Sequence, residues 1–194
     1  MPRPREFDRD DVINRALRLF WERGYEATSI RDLIDATGIS SSSMYEAFGD
    51  KRGLFLVVLA RFCAWERERI AQMALAAASP EQFVSGLFGS IEDAVQPTAT
   101  AQGSLAFNTM VEFGTRDLDV TELLLAHHAG ITQIVADVLR AGQVAGTVTS
   151  QQHPLELAYA IVSALHGVAT VKGVKADFPY AAAITRVILR LLYA

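Results

Sequence analysis

A chain of 194 residues, 51% hydrophobic and with only 6 prolines, has the material for a sizeable core and for long helices. Its one cysteine, Cys63, excludes an internal disulfide and a cysteine-based zinc site, and a net charge of −4 excludes a uniformly basic nucleic-acid coat. The charge is uneven: residues 1–80 hold 12 Lys/Arg against 12 Asp/Glu, residues 81–194 hold 6 against 10, so phosphate binding in the first part must come from locally placed donors.

No signal-type apolar run follows residues 1–6, and the apolar stretches are broken by charge or glycine short of bilayer-spanning length. A soluble, cytoplasmic protein with no membrane partner is expected. Arg3 and Arg5 sit on an arm that reads as a solvated tail able to reach a DNA groove.

A first helix is predicted over 9–23. Asp8 caps it, Asp10 and Asp11 favour its positive end, and Val12, Ile13, Ala16, Leu17 and Phe20 repeat at helical spacing. Gly24 stops it. Thr28 is read as opening a second helix, with Ile30, Leu33 and Ile34 inward and Gly38 closing it in a turn that needs positive φ. Ser40 is the natural cap of a third helix ending near Phe48 and Gly49. Asp50 caps a long fourth helix over 51–77 with Leu54, Phe55, Val58, Phe62 and Trp65 as its stripe. Gly53 stands where an acidic residue would complete a capping box, so a frayed start is expected. Glu66, Arg67, Glu68 and Arg69 read as a solvated charged face.

Ser79 and Pro80 begin a fifth helix reaching about residue 96, and a loop over 97–103 follows. Further helices are predicted over 104–113, 120–145, 154–174 and 180–193. No strand pattern and no repeat is visible. The expected fold is all-α, with about nine helices.

The stretch from Thr28 to Phe55 has the order of parts of a helix-turn-helix reader. Thr28 at a helix start, Tyr45 on the third helix and Lys51 at the next start are placed to meet phosphate. Ser41, Ser42 and Ser43 occupy the turn that faces base edges in this motif. Four consecutive serines discriminate bases weakly, so preference is expected to rest on DNA shape and on Arg31. Glu46 would repel phosphate unless it pairs with Arg31 or Arg52 or accepts from a cytosine amino group.

The residues from Phe7 to Phe62 resemble the DNA-binding domain of the TetR family of bacterial regulators. The resemblance lies in Gly24-Tyr25, in Thr28 to Leu33, in Ala36-Thr37-Gly38-Ile39-Ser40, in Met44-Tyr45 with Phe48, and in Lys51 with Leu54-Phe55. It implies a reader at 6–66, with its helix-turn-helix at 29–48, joined to a ligand-binding and dimerisation body at 67–194. It implies similar DNA-contact roles for Thr28, Arg31, Ser41, Ser42, Ser43, Tyr45 and Lys51. Gly103-Ser104-Leu105-Ala106-Phe107-Asn108 also resembles a Gly-Cys-apolar-apolar-x-Asn element of one subgroup, with Ser104 in place of the sensing cysteine.

In the body, Phe83, Phe88, Phe107, Asn108, Met110, Phe113, Tyr159 and His166 are the candidate ligand-binding residues, with capping of local backbone the alternative for Asn108 and ordinary bundle core the alternative for the others. His127 and His128 point about 100° apart on a helix and make a poor metal pair. No metal, no cofactor and no catalytic residue is expected, and Glu112 and Asp117 read as solvated carboxylates near a helix end. Ala160, Ala164 and Gly167 make one late helix small-sided, and Val187 and Leu191 give the last helix a broad apolar surface. Together they predict a homodimer interface. The resulting expectation is a homodimeric repressor on palindromic double-stranded operator DNA, released by a small, largely apolar effector. The alternative is a helical small-molecule-binding or enzymatic protein with a degenerate reader.

Overall fold

The computed structural model describes residues 7–93, 103–174 and 180–193. Arg3, Arg5 and most of the loop expected over 97–103 lie outside them. The described residues form nine helices and no strand: α1 (Arg9–Arg23), α2 (Ile30–Thr37), α3 (Ser41–Phe48), α4 (Lys51–Ala76), α5 (Pro80–Asp93), α6 (Leu105–Phe113), α7 (Leu118–Val144), α8 (Pro154–Val174) and α9 (Tyr180–Leu192).

Local chemistry sets most of these ends. Asp8 accepts from the amides of Asp10 and Asp11, and Ser40 accepts from Ser43 N. The second helix corrects the expectation for Thr28. Ser29 is the cap: its hydroxyl accepts from Asp32 N at 3.1 Å while the Asp32 carboxylate accepts from Ser29 N at 2.9 Å. Gly38 ends that helix at φ 74°, as its turn requires. Asp50 caps α4 through Gly53 N at 2.7 Å. Gly53 is no defect there, because a β-carbon on it would lie 2.0 Å from the Phe48 carbonyl oxygen. The close approach of α3 and α4 demands glycine and excludes the acidic residue.

Two apolar clusters lie along the molecule. The first joins Val12, Ala16, Phe20, Leu33, Met44, Leu54, Phe55 and Phe62 of α1–α4 with Leu105, Phe113, Val120 and Leu124 of α6 and α7. The second joins Ile70 of α4 with Phe83, Val84, Val135, Leu139, Ile161, Leu165, Ile188 and Leu192 of α5 and α7–α9. The division into 6–66 and 67–194 is therefore not a division of the core. Helix α4 serves both clusters, and α6 packs under the reader.

One expectation about apolar segments fails. Pro154–Val171 of α8 is long and apolar enough to cross a membrane by composition. In the fold it buries Ala158, Ile161, Val162, Leu165 and Val168 against α7 and α9.

Candidate nucleic-acid interface and a buried polar cluster

Helix α3 turns Met44 and Phe48 into the core and leaves Ser41, Ser42 and Tyr45 outside, with Tyr45 46% exposed. Ser40 oxygen lies 3.0 Å from the Ser42 hydroxyl and 2.9 Å from that of Ser43, which is half-buried. The first-turn amides of Ser41 and Ser42 have no intrahelical acceptor and face the same end. Arg31 projects from α2, 91% exposed at its side chain, with Asp35 3.9 Å away. A phosphate or a base edge could be met by the hydroxyls, the phenol, that guanidinium and the free amides. Glu46 is exposed and gains neither expected partner: Arg31 pairs with Asp35, and Arg52 is held by Asp117 and Asp119.

Thr28 and Lys51 come together, but not as expected. Thr28 is fully buried and its hydroxyl donates to Gly24 O at 2.7 Å, so it braces the α1–α2 turn from inside. Lys51 Nζ donates to Tyr25 O at 2.9 Å and Thr28 O at 2.8 Å and lies 4.1 Å from the Tyr25 ring centroid. Its donors are engaged with carbonyls and a ring face. It ties the α1–α2 turn to the start of α4, which shapes the surface rather than presenting a free cation.

The same turn is held from the body. The Glu112 carboxylate on α6 accepts from Tyr25 N at 3.0 Å and Glu26 N at 2.8 Å. It is a clamp on the reader, not the solvated group expected. Asp117 caps α7 through Val120 N and accepts two bonds from Arg52, at 2.7 and 2.8 Å. Those Arg52 bonds hold the Asp117 carboxyl at about 2. Asp119 adds a third contact to Arg52 at 2.6 Å. Trp21 Nε1 donates to Gly103 O at 3.0 Å, joining α1 to the entry of α6.

The eight ligand candidates do not form one wall. Phe83 and Phe88 are packed in the second apolar cluster. Phe113 belongs to the first, stacked on Phe55 at 5.4 Å, with Met110 beside it. Tyr159 is 51% exposed, because its position on α8 falls on the outer face, so it does not line an interior. Phe107 and His166 do meet, stacked at 4.8 Å, and Asn108 lies near Gly103 on the same short helix.

Around Phe107 and His166 lies a polar cluster that periodicity had assigned elsewhere. Glu66 of α4 accepts from His127 of α7 at 2.9 Å, with side chains 16% and 5% exposed. Ser104 donates to the same carboxylate oxygen at 3.4 Å. The His128 and His166 rings are 5.4 Å apart. Burial, and then His128, hold the His166 pKa down to about 4; burial and then His127 lower that of His128. The charged run 66–69 is thus not a uniformly solvated face. A signal existed: Glu66 falls four residues after Phe62 and four before Ile70, on the buried stripe. Cys63 is buried beside it, its thiol pushed up to about 12 by burial and then by the Glu66 charge. Among the described residues no group of three or more His, Cys, Asp or Glu could hold a metal ion.

The dimer candidates face outward. Val187 and Leu191 of α9 are 54% and 55% exposed, Ala160 and Gly167 of α8 are exposed, and Ala164 is half-buried.

Residues 12–58 match the model of the bacterial regulatory proteins of the tetR family. The chain is 31% identical over 147 residues to the HTH-type transcriptional repressor ComR of Escherichia coli strain K12, covering 75% of this chain and 70% of that one. It superposes with a TM-score of 0.84 on a cysteine-substituted form of the TetR family regulator CifR bound to 26-base-pair operator DNA. There the identity is 28%, over 98% of this chain and 100% of that one. The reduced form of E. coli NemR, 14% identical, shares the fold at a TM-score of 0.86 over 95% and 96% of the two chains. The three-helix reader, the body packed beneath it and these likenesses agree: the chain belongs to the TetR family of bacterial transcriptional regulators, and is a DNA-binding regulator rather than an enzyme.

Proposed function

We propose that this protein is a cytoplasmic, homodimeric repressor that places α3 of each copy in a major groove of a palindromic operator and leaves it when a small molecule binds the body. The observation that carries the reading is the outer edge of α3. Ser41, Ser42 and Tyr45 are exposed there while Met44 and Phe48 anchor the helix in the core. ComR is named a repressor, and the CifR form is bound to operator DNA. The contacts assigned to DNA are Tyr45 and the amides of Ser41 and Ser42 on phosphate, with Arg31 and the serine hydroxyls toward the bases. Thr28 and Lys51 support that surface by fixing the turn behind it.

Effector and reader meet through α6. Its Ser104 end touches Glu66 and its Glu112 end grips the α1–α2 turn. A ligand that displaces Phe107 would move that grip and change reader spacing, a differential contact of the kind ligand control requires. Ser104 stands where the resembling subgroup carries a cysteine, and the Cys63 thiol is buried and its pKa raised. Sensing is accordingly by reversible, non-covalent binding.

The test is a footprint of the purified dimer on the promoter region of its own gene. A protected palindrome is expected. Tyr45→Ala should weaken that binding about tenfold, roughly 1.4 kcal/mol, with an unchanged melting temperature. Full affinity in that variant would remove Tyr45 from the interface.

A further inference from the structure

Glu46 is exposed on α3, and its carboxylate makes no hydrogen bond or ion pair among the described residues. Its two expected partners are engaged elsewhere, Arg31 beside Asp35 and Arg52 with Asp117 and Asp119. Met44 and Phe48, one turn apart, mark the buried side of α3. At about 100° per residue, Glu46 stands about 180° from the direction midway between them. Ser42 lies about 40° and Tyr45 about 100° to the same side of Glu46. With α3 in a major groove and Met44 and Phe48 toward the core, Glu46 is the side chain aimed most directly at the groove floor. Its polarity is unlike that of its neighbours. The hydroxyls of Ser41, Ser42, Ser43 and Tyr45 can donate or accept, and Ser40 oxygen already lies 3.0 Å from the Ser42 hydroxyl and 2.9 Å from that of Ser43. A carboxylate only accepts.

Building on the proposed seating of α3 in the groove, we infer that Glu46 is a specificity-determining residue that selects a cytosine in each operator half-site, the cytosine N4 amino group donating to its carboxylate. Phosphate oxygens and the major-groove edges of guanine and thymine present acceptors and repel a carboxylate. Adenine N6 is a donor, but the N7 acceptor lies beside it. The cytosine edge carries a donor and no acceptor. The same charge works against unrelated sequence. Where no amino group is within reach, the carboxylate faces acceptors and phosphate, so binding is weakened most on DNA that is not operator. The serines fit any base, and Glu46 supplies the discrimination that they lack. Preference expected to rest on DNA shape and on Arg31 gains a direct readout at one base pair.

Selection from a pool of DNA duplexes with a randomised centre decides the matter, run in parallel with the full-length native protein, Glu46→Ala and Glu46→Gln. The native protein should enrich a palindrome with a fixed C·G pair at one position of each half-site. Glu46→Ala should keep the rest of the palindrome and leave that position degenerate. Glu46→Gln should move it toward adenine, whose N6 and N7 suit the two groups of an amide. On the native palindrome, exchanging that C·G pair for T·A should cost the native protein at least about fivefold in affinity and Glu46→Ala less than about twofold. Affinity of Glu46→Ala for a duplex of unrelated sequence should rise about threefold. One and the same palindrome from all three proteins overturns the inference and leaves operator binding standing. An equal cost of the base exchange in native protein and Glu46→Ala overturns it as well. Enrichment of no sequence by the native protein sinks the operator reading itself, and the role of Glu46 with it.

Discussion

Burial and the neighbouring His128 imidazole keep His166 neutral in the folded chain down to about 4, whereas an unfolded histidine takes up a proton near 6.5. Because the folded pKa is the lower one, its contribution is intact above 6.5 and is lost as pH falls toward 4, where it levels off. Urea unfolding should show a loss of up to about 2 kcal/mol from this ring between pH 7 and 5. His166→Phe should flatten that part of the profile, and an unaltered slope would mean that the ring is charged in the native state. Thr28 and Lys51 belong to the same scale. Their types and positions were legible as part of a reader, but their partners were not. Which carbonyl a hydroxyl or an ammonium reaches depends on the turn that folds over it, and Gly24, Tyr25 and Thr28 supply those carbonyls here.

Helix ends were legible wherever cap and stop are local, as at Asp8, Ser40, Gly38 and Asp50. Gly53 was misread because its reason is the Phe48 carbonyl of the preceding helix, a contact that capping patterns do not encode. Gly53→Ala should lower stability by at least about 1–3 kcal/mol by overpacking the α3–α4 junction. Thermal melting checks this, and a variant as stable as the parent would show that the two helices separate freely. Helix α6 acts across a longer distance. Glu112→Ala removes the acceptor of two amides, so exchange at Tyr25 and Glu26 should speed by at least about tenfold. Unchanged protection would mean that the clamp does not hold the turn.

At the scale of the molecule, the reader shares a core with the body, and the body carries an outer apolar face. Tyr159, Val187 and Leu191 are each more than half exposed on α8 and α9. Pairing that face with its copy would hold two short readers about 34 Å apart, the repeat of successive major grooves. Leu191→Glu should give a monomer by sedimentation and abolish tight operator binding while each copy stays folded. A surviving dimer would place the interface elsewhere. The Arg52 pairs with Asp117 and Asp119 add a surface strut between α4 and the start of α7.

By itself the sequence determined an all-helical chain and a helix-turn-helix in the right order. Those follow from periodicity, caps and glycines, which act within a few residues. Tertiary structure alone decided which polar groups face outward and which are held by their neighbours. Lys51, Thr28 and Glu112 went inward, Glu66 joined three histidines, and Tyr159 went outward. Lys51, Glu112 and Glu66 depend on neighbours far along the chain, and the free energy of a buried charge is set by such a neighbour rather than by the residues beside it.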